Sequence, residues 1–330
     1  MKKVQLFALL LVFCIGHTHA KESDGLPFAK GDIFVAASLM DNSRDDHKGT
    51  GRILQFDKDL KPKGTFWIKS TDYQIGNLAF APDGTLWAFS PMGWKIIEIG
   101  PDAAVKPARQ IGGRSFGTVS FAGDGSFYLG EFLTGDKNST PMNKTEFTWL
   151  EGRKVIGDGH VFHYGADNSL IKEYKTATHG GMAGIHGVTS MVLTDNGARL
   201  VYISETGNRL MQYDLAGNQQ MPDLISGKSS GDAPMLLGLT QLADGRLIVS
   251  AGNQLMIADD TSGEVLKTIK MDNGGWAAIA PSVDPQHIVA GNFFTGEFVK
   301  LNLETGKAVA RGDIGAKQSL AGIAQFPGIQ

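Results

Sequence analysis

The sequence predicts an all-β chain closed into a six-bladed β-propeller, and three observations predict it. The first is a repeated motif: Gly, two residues, a small or polar residue, then usually an apolar one. It stands at Gly76-Asn77-Leu78-Ala79-Phe80, Gly117-Thr118-Val119-Ser120-Phe121, Gly187-Val188-Thr189-Ser190-Met191, Gly238-Leu239-Thr240-Gln241-Leu242 and Gly322-Ile323-Ala324-Gln325-Phe326, with a degenerate copy at Ala277-Ala278-Ile279-Ala280-Pro281. The second is that each of the five internal copies is followed by a turn and then a short apolar run. The third is that the two ends of the chain lack complementary halves of one repeat. Many short strands with Gly-rich corners are the mark of an all-β fold, and a repeat of this length is the mark of a ring or array. A seven-bladed ring and an unclosed sandwich are the alternatives.

The unit is clearest from His186 to Asp214. The run Val188 to Leu193 precedes Asp195-Asn196-Gly197, and Leu200 to Ser204 returns. Asn-Gly favours a tight hairpin because the preferred turn needs positive φ at both central residues. The other first turns are Pro82-Asp83-Gly84, Gly123-Asp124-Gly125, Asp244-Gly245 and Asp284-Pro285. Second strands begin at Leu86, Phe127, Leu200, Leu247 and Ile288, third strands at Lys95, His160, Arg209, Gln254 and Glu297, and fourth strands at Leu170 and Val265. The copy at Gly322 has no second strand after it. Conversely, Ile33 to Ser38 and Arg52 to Phe56 resemble a second and a third strand with no first strand before them. Joining the ends completes blade one, with the C-terminal strand innermost, and removes the free edges of an open array.

The predicted domain spans 31–330, after an extension at 21–30 and a secretory leader at 1–20. Lys2 and Lys3 precede the uncharged run Val4 to Ile15, too short to span a bilayer comfortably, and Thr18-His19-Ala20 supplies a small residue for cleavage. Periplasmic or secreted localisation is therefore expected. The one cysteine, Cys14, leaves with the leader. No later segment is long and apolar enough to be a transmembrane helix. Lys+Arg 31 against Asp+Glu 34 gives −3, and −5 once Lys2 and Lys3 are removed. Mild acidity argues against nucleic acid as a partner. A small-molecule ligand or another exported protein is expected, with the chain itself a monomer.

Two inserts, 40–51 and 132–159, fall between second and third strands. In an up-and-down blade those corners share one face with the starts of the first strands, so both inserts gather on one rim with His186, Glu131 and Glu205. Loops collected on one side of a rigid scaffold are where function usually sits. His186 precedes the first strand of blade four, where the other blades carry Ile75, Phe116, Leu237, Trp276 and Ala321. It is a candidate base or metal ligand, with Glu131 and Glu205 as acidic partners; a core histidine is the alternative. Glu131-Phe132-Leu133-Thr134-Gly135 and Asn292-Phe293-Phe294-Thr295-Gly296 match in pattern, so Glu131 and Asn292 face each other across the mouth, or else cap strand ends. Arg114, Trp94, Trp149, Trp276, Asn292 and Asn253 are candidate ligand-binding residues. His160 and His163 are three apart on a strand and point to opposite faces, which speaks against a metal pair.

Thr194-Asp195-Asn196-Gly197, Leu200-Val201-Tyr202 and Glu205-Thr206-Gly207-Asn208-Arg209-Leu210 resemble the gluconolactonase, regucalcin and strictosidine-synthase superfamily and its relatives with NHL-type repeats. The resemblance implies a divalent cation, calcium or zinc, at the channel mouth. Its ligands would be an Asn before a first-strand Gly, an Asp in the next blade and a Glu in the first. Those positions carry His186, Leu237 and Leu320 or Ala321 here. Either the cation is lost or His186, Glu131 and Glu205 form a replacement set. The resemblance implies an exported small-molecule hydrolase of the lactonase or esterase type. The altered ligand set points instead to a non-catalytic binding propeller. A quinone-cofactor dehydrogenase would need a pocket rich in arginine and histidine, and only Arg114 and His186 are evident.

Overall fold

Five of the six second strands are buried along their length and mostly apolar because both of their faces are covered. In the computed structural model, which describes residues 21–40, 48–132, 158–178, 187–204, 207–226 and 235–329, the strands Ile33–Ala37, Leu86–Ser90, Phe127–Glu131, Arg199–Ile203 and Leu247–Ala251 are buried at every position. Alternate residues serve different neighbours. Phe34 and Ala36 join the core between blades one and two, whereas Ile33, Val35 and Ala37 join the core between blades six and one. Four further cores fill the remaining gaps between adjacent blades. Each large apolar side chain buried this way contributes about 1.5–3 kcal/mol.

The six sheets are the six expected blades. Blade one is Leu320–Gln325, Ile33–Ala37, Gly49–Phe56 and Pro62–Ile68, with Leu39–Met40 extending it. Blade two is Leu78–Phe80, Leu86–Ser90 and Lys95–Ile99, its fourth position reduced to bridges from Ile96 to Arg109 and Ile99 to Val105. Blade three is Phe116–Phe121, Phe127–Glu131, Val161–Tyr164 and Leu170–Tyr174. Blade four is Ser190–Thr194, Arg199–Ile203, Arg209–Asp214 and Gln219–Gln220, with Ile225–Ser226 also on its third strand. Blade five is Leu236–Gln241, Leu247–Ala251, Gln254–Ala258 and Val265–Lys270, and blade six is Ala278–Pro281, His287–Gly291, Glu297–Asn302 and Ala308–Asp313.

The ring closes as expected. Leu320–Gln325 lies antiparallel to Ile33–Ala37, with Ile33 opposite Gln325 and Gly322 opposite Ala36. Gly31 N donates to Phe326 O at 2.9 Å, Phe326 N to Asp32 O at 2.8 Å, and Ser319 Oγ to Ser38 O. The extension at 21–30 lies along the outer strand of blade one. Asp24 N donates to Thr65 O at 3.0 Å and Trp67 N to Ser23 Oγ at 2.8 Å, which covers an edge that would otherwise be free to pair.

At two of the repeated glycines the cause is steric. A Cβ on Gly238 would stand 2.4 Å from Ala277 O, and one on Gly322 would stand 2.1 Å from Gly76 O. Neighbouring inner strands approach backbone to backbone there, and a side chain would hold them apart. The Asp-Gly corners are Asx turns: Thr85, Ser126 and Arg246 amides donate to Asp83, Asp124 and Asp244 carboxylates. At Asp195–Gly197 the expected two-residue hairpin is a longer left-handed turn, with φ of 53°, 54° and 86° at Asp195, Asn196 and Gly197. The predicted leader at 1–20, all but the ends of both inserts, His186, Glu205 and Trp149 lie outside the described residues. Among the described residues no helix is long and apolar enough to cross a membrane.

Candidate functional site

The starts of the inner strands and the second-to-third strand corners share one face, called the upper face. Polar groups at the ends of second strands reach the start of the next blade. Ile75 N donates to Ser38 Oγ at 2.9 Å, Ser250 Oγ donates to Trp276 O, and Phe132 bridges Gly187.

By strand register the residue at the upper end of the second strand is Ala37, Ser90, Glu131, Ser204, Ala251 and Asn292 in blades one to six, and all are buried. Ser204, rather than Glu205, is thus the equivalent of Glu131. These side chains pin corners. One oxygen of Glu131 accepts from Arg114 Nη1 at 2.7 Å; the other accepts from the amides of Asp158 at 2.9 Å and Gly159 at 3.1 Å. The Glu131 side chain is 1% exposed. Asn292 Oδ1 accepts from the amides of Phe294 and Thr295, and its Nδ2 donates to Asn273 Oδ1 and Gly274 O. The sequence could have shown this slot: it is polar in four of six blades and ends an apolar run.

Arg114 lies with its guanidinium 4.4 Å over the Phe162 ring. Burial works against its charge, but the hydrogen bond it donates to Glu131 and the charges of Glu131, Glu173 and Asp158 outweigh it and hold its pKa above the ordinary value. Trp276 is 1% exposed and belongs to the core between blades five and six, its indole N–H donating to Asn273 O at 3.0 Å. Packing accounts for its place. Trp94 is half-buried in the second corner of blade two with φ 55°, and Asn253 is exposed in the corresponding corner of blade five. Among the described candidates, the structure brings Arg114 and Glu131 together.

His160 and His163 point to opposite faces, as expected. His163 stacks on Tyr128 with centroids 4.1 Å apart, and its Nε2 lies 2.9 Å from Ser126 Oγ. Burial pushes the pKa of His163 down against the opposing charge of Asp124, and that of Tyr128 up to about 12. His160 turns the other way. Its Nδ1 is 2.7 Å from Glu173 Oε1, and a donor atom of Asp158 completes a group whose members lie within 4.8 Å of one another.

The central channel encloses about 350 Å³ and is lined by the inner strands of all six blades. Its walls are apolar side chains with a few hydroxyl and amide groups, and among the described residues no charged side chain lines it. Asn77 Nδ2 donates to Thr118 Oγ1 at 2.9 Å, while Ser120 and Ser190 hydroxyls donate to Met191 O and Leu239 O in the next blades at 3.0 Å. Pro281, Val283 and Pro327 carry the lining to the lower face.

No family model and no curated protein matches this sequence. Its structure is similar to solved ones. A protein of unknown function from Bacteroides caccae superposes with a TM-score of 0.61 at 11% identity, covering 91% of this chain and all of that one (100%). A chain of the nidogen/laminin complex superposes with a TM-score of 0.59 at 11% identity, covering 90% of this chain and 98% of that one. At such identity the likeness shows the fold alone.

Proposed function

We propose that this protein is an exported, non-catalytic binding propeller that takes a small uncharged molecule into its central channel. The observation that carries the reading is the channel itself: about 350 Å³, walled by all six blades, largely apolar, with no charged side chain among the described residues of its lining. That volume falls within the ~300–1,000 Å³ range of small-molecule pockets. A charged ligand would lose its water there and gain no counter-charge, so the walls select for neutral molecules. Ser120 and Ser190 have already donated their protons to neighbouring blades. They offer lone pairs, and a complementary ligand brings hydroxyl or amide donors.

The hydrolase expected from the sequence needs Glu131 as an acidic partner. That carboxylate is buried and engaged by three donors, which supports binding over turnover. Kinship with the gluconolactonase-like superfamily, and export, rest on the sequence motifs. In that kinship Leu320, fully buried in the core, stands at or beside the position where a cation ligand would be.

The test is a thermal-shift and native mass-spectrometry screen of neutral sugars, lactones and amides, with lactone and ester turnover followed in parallel. At least one neutral compound is expected to raise Tm by several degrees at ~100 times its Kd, without turnover. Thr240→Leu, which fills part of the channel, abolishes that shift. Turnover by the wild type that is lost in His186→Ala would restore the hydrolase reading.

A further inference from the structure

We propose that Asp158, His160 and Glu173 bind one divalent transition-metal cation of the zinc class, on the upper outer edge of blade three. The strand register assembles them. In the ladder between Val161–Tyr164 and Leu170–Tyr174, Phe162 lies opposite Glu173. Residues opposite each other share a face and side chains alternate along a strand, so His160 is the diagonal neighbour of Glu173 on that face. The geometry follows, with Nδ1 2.7 Å from Oε1. Asp158 is delivered separately. Its own amide and that of Gly159 are fixed by Glu131 Oε2, which places the residue two before His160 over the same edge.

A comparison among blades supplies the second line of argument. The first slot of the third strand, held by His160 here, carries Arg52, Lys95 and Arg209 in blades one, two and four. Arg209 uses it to meet Asp223 with two hydrogen bonds of 2.6 and 2.8 Å. Three blades therefore place a fixed cation in this slot. Blade three places an imidazole there beside two carboxylates. The nearby cation, Arg114, is committed to Glu131 and to the Phe162 ring. Counting Glu131, Asp158 and Glu173 against Arg114, the described residues of this corner carry an excess of acid that a bound dication neutralises.

The donor set fits that ion. Zinc takes imidazole nitrogen and carboxylate oxygen at ~2.0–2.2 Å, so its tetrahedral ligands stand roughly 3.4 Å apart. The three donor atoms already lie within 4.8 Å of one another, and Asp158 and Glu173 are exposed enough for small rotations to close the gap. One position is left for water or an exogenous ligand. Glu131, which holds the Asp158 backbone, acts as a positioning residue.

The experiment uses the full chain, stripped with EDTA and titrated calorimetrically with zinc chloride, with cobalt(II) as a spectroscopic stand-in. One cation per chain is expected. His160→Ala, Asp158→Asn and Glu173→Gln each weaken it by roughly a hundredfold or more, while Tm in EDTA stays within a few degrees of wild type. His163→Ala, on the opposite face, binds as wild type does. The visible bands of the cobalt form change in His160→Ala and persist in His163→Ala. No stoichiometric cation in the wild type, or undiminished affinity in the His160→Ala and Glu173→Gln variants, would overturn the assignment.

Discussion

Arg114 Nη1 donates to Glu131 Oε1 at 2.7 Å, and the other oxygen of that carboxylate collects the amides of Asp158 and Gly159. One buried acid thus ties the Arg114 side chain and the backbone at 158–159 into the upper corner of blade three. Substituting Glu131→Ala leaves two amides without their acceptor and an arginine, about a third exposed, without its partner. The expected cost is about 3 kcal/mol, read as a lowered urea midpoint with unchanged slope. An acid kept for chemistry at the expense of the fold would behave oppositely, its removal leaving stability unchanged or raised.

His163 gives the fold a pH dependence of definite sign. Its pKa is held below the ordinary value of about 6.5 by burial, so as pH falls the unfolded chain takes up the proton before the folded one does. Stability from this residue is intact above about pH 6.5 and declines below it, until the folded pKa is reached. His163→Gln removes the titration. At pH 7 the variant should melt lower than wild type, because the stack on Tyr128 is gone. Between pH 7 and pH 5 the wild type should lose more of its Tm than the variant. Parallel melting profiles would show that this imidazole titrates alike in both states.

The ring was legible in the sequence because its causes are local and repeated. At Gly238 and Gly322 a glycine stands where inner strands touch, Asx turns follow the inner strands, and the second strands show apolar runs because both of their faces are buried. The rim was less legible. Glu131 and Asn292 look like chemistry in a sequence because both are polar and end a strand. What settles their roles is the set of amides around them, which depends on how each corner folds back. Glu205 was paired with Glu131 by its acidity, whereas the strand register makes Ser204 the equivalent. His160 was weighed against His163, the nearest histidine. Its partner is Glu173, 13 residues on, and only the ladder between the third and fourth strands brings the two together.

Two glycine substitutions separate packing from backbone freedom. In Gly322→Ala the new Cβ would stand 2.1 Å from Gly76 O and 2.9 Å from Gly76 C, so backbone must move at the narrowest part of the ring. Overpacking of this kind costs about 1–3 kcal/mol. Gly123→Ala, in the first turn of blade three, has nothing within 4 Å of the added carbon and should be neutral. Thermal melts of the pair check the claim. Equal effects would mean that the motif glycine is not there to let inner strands touch.

Closure of the ring is testable by moving the closing strand rather than only removing it. Deleting 319–330 strips Leu320, Ile323 and Phe326 from the cores on either side of blade one and leaves the inner edge of Ile33–Ala37 unpaired. Those three side chains contribute about 5–9 kcal/mol, comparable to the ~5–15 kcal/mol total stability of a domain. The truncated chain should therefore show no cooperative melt. A permuted chain distinguishes loss of closure from loss of sequence. Gly31 N already donates to Phe326 O at 2.9 Å, so the end of the last strand lies beside the start of the first. Joining 319–328 directly to residue 31 turns blade one into a contiguous hairpin and should restore a cooperative transition to the same ring. A permuted chain that melts without cooperativity, beside a truncated chain that melts normally, would mean that the C-terminal strand is not what fastens the propeller.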